Sequence, residues 1–330
     1  IGVRCISRAK SAALVCVASI SLFTGGCIGG KGATPVTAYE LKNYNQDLYQ
    51  GKLYAEELCV AQNDVALEGY TEDTELHSAA LFDLTGERVL YSYKAHERLY
   101  PASTTKIMTA LLALENANLD DQVTISGNAD ASSFSADAQV CGLAKGEVWT
   151  LRDLLGALLL YSGNDAATAI AEYVGGSEEA FVNMMNRRAQ ELMANGTHFM
   201  NPHGLHDDNH YTTAYDLYLI FNECIKHEDF VNIIQSEAYT AYYTDVDGNS
   251  QEALFTPTNL YAQGEVDVPE NVTIVGGKTG TTDEAGYCLI LMEKDSSDNP
   301  YISIVMGASE KPVLYEDMTS LIEAIPSGQQ

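Results

Sequence analysis

Tyr100-Pro101-Ala102-Ser103-Thr104-Thr105-Lys106-Ile107-Met108-Thr109-Ala110 is the stretch on which the reading of the chain turns. Ile107, Met108, Leu111, Leu112 and Leu114 leave little room for a polar face, so a helix buried all round is expected here. Pro101 suits a first turn, where its missing N–H would be unsatisfied anyway. Ser103 and Lys106 are three apart and share one helical face. A hydroxyl at a helix N-terminus lies in a positive field beside free backbone N–H groups. A lysine one turn on can take its proton if desolvation or a second cation lowers the lysine pKa. The tetrad thus offers a serine nucleophile with a lysine base. Alone, it also fits a capping serine followed by a solvated lysine.

Working outward, residues 78–84 and 88–93 are strand-like runs joined by Leu84-Thr85-Gly86-Glu87, a hairpin signal. Helical patterns follow at 151–160 behind the N-cap Thr150, and at 166–173 before Gly175-Gly176. Others cover 178–194, between Ser177 and Asn195-Gly196, and 213–226. Residues 239–243 and 252–255 read as strands around Asp247-Gly248. Three more runs, at 272–275, 287–292 and 301–306, precede a closing helix at 314–325. Strands at both ends with helices between predict an α/β fold of the α+β type. Its mostly antiparallel, five-stranded sheet would form by bringing the ends together, with an all-helical region inserted.

The chain has 330 residues, 46% of them hydrophobic, enough for a sizeable core. Its formal net charge of -28 argues against nucleic acid or an anionic membrane surface as partner. Residues 1–27 differ from the rest. Arg4, Arg8 and Lys10 precede the apolar run 11–23, and Thr24-Gly25-Gly26-Cys27 follows. This is the order of an export signal, too short for an ordinary spanning helix. Its end resembles a bacterial lipoprotein cleavage site, with Thr24 where such sites usually carry Leu. The expected organisation is an export signal at 1–26, an anchor spacer and N-terminal extension at 27–74, and a catalytic domain at 75–325. Membrane contact would come through a lipid on Cys27, at the outer face of the bacterial cytoplasmic membrane; secretion is the alternative. Cys59, Cys141, Cys224 and Cys288 show no metal-type spacing and are expected unpaired.

Two further stretches carry chemistry. Tyr161-Ser162-Gly163-Asn164-Asp165 sets a hydroxyl and a carboxamide on a tight turn between helices. Ile274-Val275-Gly276-Gly277-Lys278-Thr279-Gly280-Thr281-Thr282 reads as an apolar strand that breaks into glycines around a lysine, which suits close approach by a ligand. Ser-x-x-Lys, Ser-x-Asn and Lys-Thr-Gly in this order form the motif set of penicillin-binding proteins and related β-lactamases. The segments around Ser103, Ser162 and Lys278, with Asn201-Pro202-His203-Gly204-Leu205, resemble the serine D-Ala-D-Ala carboxypeptidases, the low-molecular-mass penicillin-binding proteins.

That resemblance, over residues 75–322, implies roles. Ser103 would be acylated with Lys106 as general base, and Ser162 would relay a proton to the leaving amine. Asn164 would hold the substrate amide and Lys106. Lys278 would lower the Lys106 pKa and, with Thr279, Gly280 and Thr281, bind substrate. The N–H groups of Ser103 and Thr281 would form an oxyanion hole. The implied substrate is a peptidoglycan stem peptide ending in D-Ala-D-Ala. β-Lactams would be inhibitors, and no metal or cofactor is implied. Alternatives are a D,D-endopeptidase on cross-links and a non-hydrolytic penicillin-binding sensor or scaffold.

Two departures stand out. Many relatives carry a carboxylate-binding Arg, expected at the start of the 301–306 strand, where this chain reads Asp298-Asn299-Pro300-Tyr301. Many also carry a second, β-rich domain; this chain reaches its last residue soon after the closing helix. Glu191 and Asn195 have the spacing of a β-lactamase deacylating pair but lie in a helical pattern. His198, His203, His206 and His210, with Asp207 and Asp208, fit no closed zinc spacing. Asp245 to Asn249 is too short for a calcium loop and reads as a hairpin.

Overall fold

Side chains alternate along β1 (Ser78–Asp83), and both faces are covered. Ala80 and Phe82 enter one core, Ala79 and Leu81 the other. The same division runs along β8 (Gly286–Asp295) and β9 (Pro300–Ala308), which is why these strands read as almost unbroken apolar runs. With β2 (Arg88–Tyr93) and β7 (Val272–Thr282) they form a five-stranded sheet in the order β2-β1-β9-β8-β7. Every neighbouring pair is antiparallel. Strands from the two ends of the domain thus meet in one sheet, as the sequence pattern predicts. The computed structural model describes residues 57–60, 62–67 and 77–326, which belong to one compact unit, Leu53–Gln330. The expected export signal and Cys27 lie outside the described residues.

The inserted region follows β2. After a 3-10 turn (Ala102–Thr105) comes α1 (Lys106–Asn116), buried from Lys106 through Ala113. Tyr218 of α5 (Ala214–Cys224) stacks on Phe82 at 4.0 Å, pressing the helical layer onto the sheet. Each fully buried Leu, Ile or Phe here contributes about 1.5–3 kcal/mol. On the opposite face α8 (Lys311–Glu323) packs Leu314, Met318 and Leu321 against Leu289, Leu291 and Val305. The extension is tied to this frame: Tyr218 Oη accepts from the Cys59 N–H at 2.9 Å, and Val65 bridges Ser92.

The structure corrects several boundaries. The helix expected over 151–160 is α2 (Leu151–Gly156) followed by a π-helical turn, Ala157–Tyr161. The next, α3, spans Asn164–Gly175, so Asn164 is its first residue and not part of a loop. Helix α4 is Glu178–Glu191. Two short helices, α6 (Glu228–Ile234) and α7 (Leu260–Gln263), lack enough turns for a readable period. A second, four-stranded sheet, β3-β4-β5-β6, was not expected. Its first two strands, β3 (Gln122–Thr124) and β4 (Val148–Thr150), have three residues each, too few to show alternation. The readable pair is β5 (Tyr239–Thr244) and β6 (Ser250–Phe255), and Trp149 of β4 stacks on Tyr243 at 4.2 Å.

Strand β7 does not break at its glycines. It runs through them to Thr282, with one irregularity in register between Ile274 and Gly276. The glycines admit the chain's own backbone. A Cβ on Gly276 would lie 2.0 Å from the Ile234 carbonyl oxygen, and one on Gly280 would lie 2.9 Å from that of Pro101. Residue 280 is therefore the contact by which β7 closes on the Ser103 turn.

Candidate active site

Three segments deliver the side chains, and local backbone explains each. Ser103 lies in the 3-10 turn, one turn ahead of Lys106 at the start of α1. Ala102 before it has φ 47, a left-handed conformation that an L-residue keeps only under outside constraint. The constraint is Gly204, whose missing Cβ would lie 1.9 Å from the Ala102 carbonyl oxygen. Ser162 ends the π-helical turn at φ 71, also left-handed, which turns its hydroxyl out of the helical layer. Gly163 has no room for a side chain, since its Cβ would lie 2.2 Å from Cys141 Sγ. Lys278 projects from β7 on the cleft side.

Lys106 is fully buried, and its Nζ donates to Ser103 Oγ (2.8 Å), Asn164 Oδ1 (2.7 Å) and the His203 carbonyl oxygen (2.6 Å). Lys278, 2% exposed, donates to Ser162 Oγ and to the Thr279 carbonyl oxygen, both at 2.8 Å. Burial lowers the Lys106 pKa well below the ordinary lysine value, and the Lys278 charge lowers it further. Burial brings Lys278 down to about 7. His203 is pushed down to about 3, by burial first and then by Lys106 and His210. It sits neutral beside the lysine.

Ser103, Ser162, Asn164, Thr279, Gly280 and Thr281 line one cleft of about 690 Å³, and Lys106 and Lys278 lie beneath them. The eight residues singled out from the sequence therefore meet at one place. Pairing a serine hydroxyl with a lysine that can be neutral, and a second hydroxyl with a cation, can support acyl transfer.

Other functional groups carried no assigned role in the sequence reading. The His203 carbonyl is a third acceptor for Lys106, and a backbone group leaves no trace in a side-chain pattern. Asn201 holds that loop, accepting from the Gly204 N–H at 2.7 Å and donating to the Leu205 carbonyl at 2.9 Å. The buried Asp165 carboxylate accepts from the backbone N–H groups of Cys141, Gly142 and Leu143, fixing the loop beside Ser162. Its place directly after Asn164 was the available signal.

The expected position of a carboxylate-binding cation needs correction. Pro300 pairs with Lys294 and Tyr301 with Glu293, at the end of the sheet away from Thr281. The cleft end of β9 is Ala308, opposite Tyr287, and Lys311 just beyond it lines the cleft. The histidine cluster is spread out: His210 faces Thr105 Oγ1 at 2.8 Å, while His206 lies 3.3 Å from Asp208. Among the described residues no group of three or more His, Cys, Asp or Glu is placed to hold a metal ion. Glu191 is the last residue of α4, in a surface ion pair with Arg188.

Residues 66–310 match a family described as D-alanyl-D-alanine carboxypeptidase. The chain is 34% identical over 254 residues to D-alanyl-D-alanine carboxypeptidase DacF of Bacillus subtilis (strain 168), covering 76% of this chain and 61% of that protein. It is 31% identical to DacC of Escherichia coli (strain K12), covering 73% and 59%. It thus spans about three fifths of the length of these two relatives. The crystal structure of the Streptomyces K15 DD-transpeptidase superposes with TM-score 0.71 at 29% identity, covering 77% of this chain and 98% of that one.

The electrostatics of the two lysines give a measurable consequence. Ser103 should be acylated only when Lys106 is neutral, so the rate against an uncharged thioester rises with pH as Lys106 loses its proton. Lys278→Met removes a positive charge that disfavours protonation of Lys106, so the Lys106 pKa rises and the midpoint moves to higher pH. The midpoint is the readout, whatever the loss of amplitude. An unchanged or lower midpoint contradicts the coupling.

Proposed function

Because this chain belongs to the D-alanyl-D-alanine carboxypeptidase family, we propose that it removes the terminal D-Ala from peptidoglycan stem peptides through an acyl-enzyme on Ser103. The observation that carries this reading is the environment of Lys106 Nζ. A neutral amine has two N–H groups and one lone pair. The Asn164 and His203 carbonyl oxygens can accept hydrogen bonds but cannot donate, so they take the two N–H groups. The lone pair is left for the Ser103 hydroxyl proton. Ser103 Oγ bonds to the carbonyl carbon of the penultimate D-Ala as Lys106 takes that proton. Ser162 passes its hydroxyl proton to the leaving nitrogen as the C–N bond breaks and regains one from the Lys278 ammonium that donates to it, and free D-Ala departs. Water then bonds to the acyl carbon and gives a proton through Ser162 back to Lys278, while the Ser103 ester bond breaks and Ser103 Oγ takes the proton held by Lys106, which resets both lysines. In this reading the N–H groups of Ser103 and Thr281 hold the carbonyl oxygen as charge develops. A β-lactam acylates the same serine.

The substrate's free carboxylate needs a cation, because an unpaired carboxylate in a closed cleft is costly. Lys278 is engaged by Ser162 and the Thr279 carbonyl. Lys311 is exposed on the cleft wall and has no ion pair among the described residues. In the proposal it receives the carboxylate together with the Thr279 and Thr281 hydroxyls. Export and a lipid on Cys27 belong to the same reading, with 75–325 as the catalytic domain. Among the described residues no helix is long and apolar enough to cross a membrane.

Mass spectrometry of purified protein with a stem pentapeptide should detect loss of one D-Ala. Ser103→Ala should abolish both that loss and labelling by a fluorescent penicillin; a mutant that labels at the wild-type rate would falsify the assignment. A substrate with a free C-terminus should outpace its C-terminal amide by roughly ten-fold, a difference of about 1.4 kcal/mol. Lys311→Ala should lose most of that preference. Equal rates on acid and amide by the wild type contradict the carboxylate site and favour action on cross-links. On fractionation the wild type should be found with membranes and Cys27→Ser in the soluble fraction; identical distribution of the two rules out the lipid anchor.

A further inference from the structure

A second cavity of about 370 Å³ adjoins the catalytic cleft, with Glu284 lining both. Its walls include Arg98, Tyr100, Asp208 and Tyr211. Arg98 is held, not loose. Leu99 and Thr212 exchange backbone hydrogen bonds at 2.8 and 2.9 Å, and Tyr211 does the same with His198. The guanidinium lies over the Tyr211 ring, 4.7 Å from its centroid. A stacked guanidinium is a preorganised fork for a planar anion. Arg98 has no ion pair among the described residues, although acids share its cavity. Glu97 turns to Lys94 at 3.8 Å, leaving Asp208 and Glu284 on either side of His206, at 3.3 and 3.9 Å.

Of the three carboxylates in this cavity Glu97 faces Lys94, and the remaining two with one fixed cation are mismatched to a simple anion, which the acids repel, and to a simple cation, which Arg98 repels. They complement a group carrying both charges. We propose that this cavity is a subsite for a zwitterionic side-chain end, a carboxylate on Arg98 and an ammonium on Asp208 and Glu284. The proposal rests on the stem-peptide reading and deepens it. The residue before the acylated D-Ala is a diamino acid, and the meso-diaminopimelate type ends in both a carboxylate and an amine, whereas the lysine type ends in an amine alone. Reach permits the contact. Arg98 precedes Ser103 by five positions, so their Cα atoms are at most about 18 Å apart.

The test measures kcat/KM for D-Ala release from three pentapeptides that differ only in the third residue: meso-diaminopimelate, its side-chain carboxamide, and L-lysine. The wild type should prefer the first roughly five- to ten-fold and treat the other two alike. Arg98→Ala should bring the ratio of the first to the others close to one, and Arg98→Lys should keep part of it. Each ratio is internal to one protein, so partial misfolding of a variant cancels. Raising the salt should shrink the wild-type ratio, because Arg98 is exposed. Equal wild-type rates on all three peptides, or a ratio unchanged in Arg98→Ala, overturn the subsite and leave the carboxypeptidase reading standing. Absence of D-Ala release from every peptide overturns both.

Discussion

A fully buried lysine is the constraint from which the arrangement of this protein can be followed. Lys106 has three N–H groups when charged, and each left unpaired in the core would carry a desolvation cost. Its acceptors come from the adjoining Ser103 turn and from two remote parts of the chain, the start of α3 and the loop at His203. The segments that satisfy the lysine are thereby drawn together at its amine. The same demand makes the site reactive. Two of the three acceptors are carbonyl oxygens with no proton to give, so loss of the ammonium proton leaves the lone pair one direction, toward Ser103 Oγ.

Backbone proximity carries the second half of the design. Gly204 rests against Ala102, and Gly280 against the turn from Pro101 to Thr104. These contacts hold Ala102 in a conformation it would not keep alone, and they close β7 over Ser103. Side-chain networks fix the pieces that backbone contact cannot. Asp165 binds three successive N–H groups of the loop beside Ser162, and Asn201 locks the loop whose carbonyl meets Lys106. The left-handed Ser162 at the end of a π-helical turn fits the same logic of strain held by surrounding structure.

Charge gives the cleft its local character. A chain with net charge -28 repels carboxylates at long range. Cations close to the reaction centre therefore have to supply the local attraction, and they differ in use. Lys278 is buried against Ser162, while Lys311 stands exposed on the wall. Arg98, stacked on Tyr211 in the adjoining cavity, is a third. Lys278 and Lys106 also share a physical conflict: two buried lysines cannot both stay charged cheaply, and this favours a neutral amine on one of them.

The sequence by itself determined the antiparallel sheet, the buried helix behind Ser103 and the side chains that meet at the cleft. Strands such as β1, β8 and β9 are long enough to show their pattern, and a motif of fixed spacing on a helix or strand sets side-chain direction locally. It could not determine the three-residue strands β3 and β4, where no period exists to be read, or the π-helical turn before Ser162, which α-helical periodicity hides. Only the tertiary structure decided that Asn164 begins a helix, that the glycines of β7 admit the chain's own backbone, and that the His203 carbonyl accepts from Lys106. It also set the start of β9 at the end of the sheet away from Thr281, and Lys311, past the strand's other end, on the cleft wall. The reason is common to all of these. Each depends on which backbone atoms, distant in sequence, come within hydrogen-bonding or van der Waals distance, and a one-dimensional pattern of side chains does not encode that.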